Sequence, residues 1–138
     1  MMKVILDCNI LVSAGLKSRV CNAVLRYALR ETQVVFSIAI LSEYQDVLAR
    51  KKFAAQQENM QKILLAVYSG GTLVAHVPES RVLSPDPKDQ PYINLALATQ
   101  ADYLITGNMQ DFPDSPYGVT QAIKPANFLD LLGIVPCA

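Results

Sequence analysis

The sequence predicts an α/β fold, a three-layer α/β/α sandwich built around a mainly parallel sheet. Short β-branched runs alternate with longer stretches of helical periodicity, which is the pattern of strand–helix–strand units. Acidic residues fall just beyond several of the predicted strands instead of being spread evenly. At 138 residues and 51% hydrophobic, the chain suits one packed domain over positions 1–138 and is too apolar to stay disordered.

The elements follow in order. Lys3 to Leu6 is the first strand, and the apolar segment after it reads as a hydrophobic turn. A helix covers roughly Arg19 to Arg30, then a strand Gln33 to Phe36. Ser37 can cap the next helix, which carries Leu41, Tyr44 and Leu48 on one face. A further helix around Ala54 to Tyr68 ends at Gly70-Gly71, and Leu73 to Val77 reads as the third strand. Pro78 to Pro91 is a polar, proline-rich loop. A helix from Pro91 to about Gln100 precedes the strand Tyr103 to Ile105. Thr120 to Ile123 is an edge strand, and Pro125 to Leu132 a closing helix stopped by Gly133.

Composition excludes several function classes. The longest apolar run is about six residues, far short of the ~20 that span a bilayer. The opening Met-Met-Lys-Val-Ile-Leu-Asp reaches an acid at once, unlike a secretory signal, so a cytoplasmic location is expected. Cys8, Cys21 and Cys137 are too scattered for a disulfide framework or a zinc site and read as reduced thiols. The formal net charge is zero, so a nucleic-acid partner must be held by local cations. Lys17 and Arg19 after the first acid, and Arg50, Lys51 and Lys52 at the end of a helix, are the candidates; the latter could equally complement a helix C-terminus.

Asp7 follows the first strand, and Glu43 lies about two turns into the helix after the second. Asp86 and Asp89 precede the Pro91 helix, and Asn108 and Asp111 follow the Tyr103 strand. In a parallel sheet such positions collect along one edge, where open α/β folds bind ligands. Carboxylates gathered there repel one another and, when ionised together, need a cation. An all-oxygen set without His or Cys suits Mg²⁺ or Mn²⁺, which most often serves phosphate chemistry. Each acid also has a plainer reading. Asp7 could cap the next segment, Glu43 could be a solvated helix acid, and Asp86-Pro87-Lys88-Asp89 could be a turn that caps a helix. The sole His76 is expected on a strand away from this edge, which leaves no His pair for catalysis.

Four segments then resemble the PIN-domain nucleases, and among them the toxins of toxin–antitoxin operons. These are Val4-Ile5-Leu6-Asp7-Cys8-Asn9-Ile10-Leu11-Val12-Ser13, Ser42-Glu43-Tyr44, Asp86-Pro87-Lys88-Asp89 with the Ala/Leu-rich stretch after it, and Ala101-Asp102-Tyr103-Leu104-Ile105-Thr106-Gly107-Asn108 followed by Asp111-Phe112. The resemblance runs from Met1 to about Pro113, with the motifs in the family's order. Two points depart from it. Many members carry an acid where this chain has Asn108, and Asp86 and Asp89 compete for one ligand slot.

The resemblance implies a Mg²⁺-dependent endoribonuclease. Asp7, Glu43 and Asp89 would hold the metal, with Asn108 as a further ligand or supporting group. Asn9 and Thr106 would orient these ligands, with Asp86 and Asp111 in support. A metal-activated water would attack phosphorus in line and leave a 5′ phosphate. It also implies an RNA substrate, a cognate antitoxin whose Arg or Lys enters the acidic pocket, and a homodimer. Leu25, Tyr27, Leu29, Met60, Leu64 and Val67 are the apolar residues offered for that dimer, although both stripes could face the sheet. One alternative is a catalytically weak PIN-like module that binds RNA or protein, which Asn108 favours. Another is a phosphotransfer domain, which would want a Lys after a late strand; here Lys124 precedes a proline.

Overall fold

The computed structural model describes residues 1–136, so Cys137 lies outside the described residues. Five strands, β1 (Lys3–Leu6), β2 (Gln33–Ser37), β3 (Thr72–Val74), β4 (Tyr103–Ile105) and β5 (Gln121–Ile123), form one sheet in the order β3-β2-β1-β4-β5. All four pairings are parallel; Val4 faces Val34 on one side of β1 and Ile5 faces Leu104 on the other. Successive strand residues point to opposite faces. Val4, Ile5 and Leu6 are all fully buried, so both faces of β1 are covered, as the layered α/β/α prediction requires. The chain builds outward from β1 in one direction through β2 and β3, and in the other through β4 and β5. The gap between β1 and β4 is therefore the point where the winding reverses, which is where such sheets open a crevice.

Among the described residues, six helices accompany the sheet: α1 (Cys8–Gly15), α2 (Arg19–Glu31), α3 (Ile38–Leu48), α4 (Gln57–Gly70), α5 (Gln90–Thr99) and α6 (Pro125–Leu132). Helix α1 replaces the expected hydrophobic turn. Its eight residues are too few to display a clear helical period, and it rests on tertiary burial of Cys8, Ile10, Leu11 and Ala14. Gly15 ends it where a Cβ would stand 2.4 Å from Met60 Sδ, so a larger residue there would require the buried Met60 side chain to shift. The Ser18 hydroxyl accepts from the Cys21 amide to start α2, and Ser37 accepts from Ile40 to start α3. Gly133, at φ 70°, stops α6 in the left-handed region.

Three expectations are corrected. Helix α4 begins later than Ala54, because Lys51–Gln56 forms a 3-10 segment first. Strand β3 is shorter than expected and leaves His76 exposed beyond its end. Leu25, Met60 and Val67, offered above for a dimer, are buried in this chain's own core, and Tyr27 packs edge-on against Phe128. Among the described residues, no helix is long and apolar enough to cross a membrane.

Candidate functional site

The β1–β4 crevice holds the acids. The Asp7 amide donates to the Ile105 carbonyl at 2.9 Å, so the parallel ladder continues one residue past both strands and holds Asp7 against Thr106. Asp7 is 6% exposed. Its Oδ2 accepts from Thr106 Oγ1 at 2.8 Å and from Asn9 Nδ2 at 3.1 Å. Asn9 Oδ1 in turn accepts from the Gly107 amide at 3.0 Å, and the Asn108 amide donates to Thr106 Oγ1 at 3.0 Å. One hydrogen-bonded mesh thus fixes the Asp7 carboxylate by the turns after two adjacent strands.

Glu43 reaches the site from α3, on the same side as buried Ile40 and Tyr44. The Tyr92 hydroxyl donates to Glu43 Oε1 and also accepts from the Cys8 amide at 3.2 Å. The Tyr44 hydroxyl donates to the Leu6 carbonyl, which ties α3 to the end of β1. Sequence reasoning missed both tyrosine roles. The available signal was a tyrosine on each buried helical stripe, since a buried phenol needs a partner for its hydroxyl.

Asp89 lies at the junction of a 3-10 turn (Pro87–Asp89) and α5, and is 9% exposed. Asp86 is spent locally: its Oδ1 accepts from the Lys88 amide at 3.0 Å, so it caps that turn while Asp89 faces the other acids. Asn108 and Asp111 form a pair, Asn108 Nδ2 donating to Asp111 Oδ2 at 2.8 Å.

The electrostatics are one-sided. Burial raises the Asp7 carboxyl to about 6, the Thr106 hydrogen bond opposes the rise, and Glu43 and Asp111 add to it. Burial raises Asp89 to about 7, with Asp111, Asp7, Asp86 and Glu43 pushing the same way. No lysine or arginine figures among the influences on either acid. Burial also lifts the Cys8 thiol to about 12, which leaves it an inert packing group. The donors are oxygens that repel one another, which matches a hard divalent cation. Among the described residues, no three His, Cys, Asp or Glu side chains converge tightly enough to enclose an ion.

The expected cations separate into two groups. Arg50 pairs with Asp46 at 3.5 Å, and Lys52 stands 5.2 Å from the centre of the Phe53 ring. Lys17 occupies the turn between α1 and α2, and Arg19 begins α2, with no ion pair to either among the described residues.

The family model for the PIN domain matches residues 3–110, which takes in the first three motifs and the fourth as far as Asn108, with Asp111-Phe112 just beyond it. The chain belongs to the PIN-domain family. This PIN domain is similar in fold to the crystal structure of VapBC2 from Rickettsia felis bound to a DNA fragment from their promoter. The TM-score is 0.62 at 20% identity, over 88% of this chain and 99% of that one. At that identity the likeness speaks for the fold. No curated protein sequence matches this PIN domain.

Proposed function

We propose that this PIN domain is a Mg²⁺- or Mn²⁺-dependent endoribonuclease, acting as a single domain and as the toxin of a toxin–antitoxin pair. The observation that carries this is the gathering of Asp7 and Asp89, both buried, with Glu43 and Asp111 at the β1–β4 crevice, where burial first and the neighbouring acids second raise the two carboxyls. PIN domains are generally nucleases, which gives that acid set its chemistry. Asp7, Glu43 and Asp89 would hold the metal, with Asn108 and Asp111 beside them. When bound, the ion neutralises the acids and supplies a water acidic enough to attack a phosphodiester. The protein's own part is orientation. Thr106 and Asn9 aim Asp7, and Tyr92 aims Glu43, so few rotamers remain to be fixed when a phosphate arrives.

A cytoplasmic nuclease of this kind needs restraint. The fold neighbour described as a VapBC2 complex supports an antitoxin partner. A carboxylate cluster is also a good seat for a guanidinium, which pairs with two oxygens at once. A homodimer completes the reading. Ile38, Leu65 and Tyr68 are its exposed apolar candidates, now that the earlier stripes are accounted for by the core.

The deciding experiment is cleavage of labelled single-stranded RNA with Mg²⁺ or with EDTA, by the native chain and by Asp7→Asn. Cleavage that needs both Mg²⁺ and Asp7 is expected; cleavage that persists in EDTA would sink the reading. A second reading, an RNA- or protein-binding module with little catalysis, is favoured by Asn108, whose amide is turned to Asp111 where an acid could add charge. RNA binding without any cleavage would select it.

A further inference from the structure

Away from the acids, the end of α1, the start of α2 and one side of α4 enclose an open groove of about 480 Å³. Lys17, Arg19, Arg26 and Lys62 line it, with Asn22 and Asn59 between them, and no acid does. The chain has 12 Lys and Arg against 12 Asp and Glu, so four cations in one groove is a local excess within a neutral molecule. Lys62 pairs with Glu58 at 3.4 Å, and both side chains are largely exposed, so that pair is weak. Lys17, Arg19 and Arg26 form no ion pair among the described residues.

Two features of this charge work against the fold. Arg19 sits in the first turn of α2, the positive end of the helix, and that turn carries no acid. Lys17 holds a left-handed backbone (φ 71°), where glycine would be the easy choice. An anion in the groove would offset both the clustered charge and the exposed helix end.

We propose that this groove docks the phosphodiester backbone of single-stranded RNA outside the acidic crevice. The proposal rests on the reading of RNA as substrate. Arginine forks and lysine ammonium groups are phosphate binders, and the Asn59 amide can donate to a phosphate oxygen, while Asn22 Nδ2 is spent on the Ala14 and Ser18 carbonyls and shapes the groove wall. Helix α1 links Asp7 to the groove and spans roughly 12 Å, a distance that a short stretch of extended strand bridges. The groove therefore grips the strand beyond the scissile phosphate, and length, not sequence, is what it recognises.

The test uses the full chain in EDTA with fluorescent 20-nucleotide RNA, read by anisotropy across a salt series. Arg26→Gln with Lys62→Gln alters two exposed side chains that form no ion pair with the acids of the crevice; Arg81→Gln with Lys124→Gln removes equal charge elsewhere. The groove variant is expected to flatten the plot of log affinity against log salt by about 0.7 per lost contact, and the control by nothing. With Mg²⁺ the groove variant should raise KM for the 20-mer while kcat holds. An unchanged slope, or an equal change in the control, overturns the groove. So does displacement of the bound RNA by poly-glutamate from the control variant and the groove variant alike. A flattened slope without any cleavage by the native chain would keep the groove and sink the ribonuclease reading instead. Cleavage with an unchanged slope sinks the groove alone.

Discussion

The Tyr92 hydroxyl stands between Glu43 Oε1, to which it donates, and the Cys8 amide, from which it accepts at 3.2 Å. One buried phenol on α5 therefore links the acid of α3 to the first turn of the helix that follows Asp7. A carboxylate at the end of a flexible side chain would otherwise sample several rotamers over the crevice.

Tyr92→Phe tests that link. The ring still fills its space against Phe112, so packing is kept, while the Cys8 amide is left without its partner. A stability loss of about 1–3 kcal/mol is expected in urea denaturation. Mg²⁺ affinity should fall by roughly 10- to 100-fold, since Glu43 is no longer aimed. Unchanged affinity, measured calorimetrically, would leave Tyr92 a packing residue only.

Asp7→Asn separates charge from shape. The amide oxygen can still accept from Thr106, and the burden of an ionised carboxylate beside Glu43 and Asp111 disappears. The metal-free variant should melt at or above the temperature of the native chain at pH 8, while RNA cleavage drops at least ~100-fold. A Mg²⁺-induced rise in melting temperature that survives in Asp7→Asn would remove Asp7 from the metal site.

The raised acids also set a pH dependence. Asp7, at about 6, and Asp89, at about 7, hold protons in the folded chain that the unfolded chain, with a carboxyl near 3.8, has lost. Between those values the folded state binds more protons, so metal-free stability falls as pH rises from about 4 to 7 and then levels. For Asp7 alone the fall is on the order of 3 kcal/mol. Mg²⁺ competes with those protons, so its stabilisation should be larger at pH 8 than at pH 5.5. Thermal melts at both values, with and without Mg²⁺, check this; a metal effect larger at pH 5.5 would contradict it.

The strands and the order of the acids were legible because β-branched runs bounded by turn residues leave little choice of period. Helix α1 was not, because Ile10, Leu11 and Val12 read locally as strand or turn and become helical only through burial against α3 and α4. For the site, position after a strand marked Asp7, and the all-parallel pairing then set it beside Thr106. The sequence favoured Asp89 over Asp86 but left room for a slip between them, since both sit in one short turn; in the structure Asp89 is buried while Asp86 caps the turn. A tyrosine on a buried stripe signals that its hydroxyl needs a partner, but which partner was not legible for Tyr44 and Tyr92, because hydrogen bonds to Leu6 and Glu43 across 38 and 49 residues leave no local pattern.

Asn108→Asp probes the neutral position in an otherwise acidic set. In the native chain its amide donates to Asp111 Oδ2 at 2.8 Å, so it satisfies one carboxylate without adding charge. The substitution removes that donor and places two carboxylates side by side. Metal-free, at pH 8, the variant should lose about 1–2 kcal/mol, seen as a melting temperature lower by several degrees. At pH 5.5 much of the loss should return, because a shared proton can bridge the pair. Saturating Mg²⁺ should restore stability at pH 8 and exceed the native gain, since the added oxygen is one more ligand for the ion. A loss of equal size at both pH values and unmoved by Mg²⁺ would mean that Asn108 serves only the turn after β4, and that its place in the metal site should be given up.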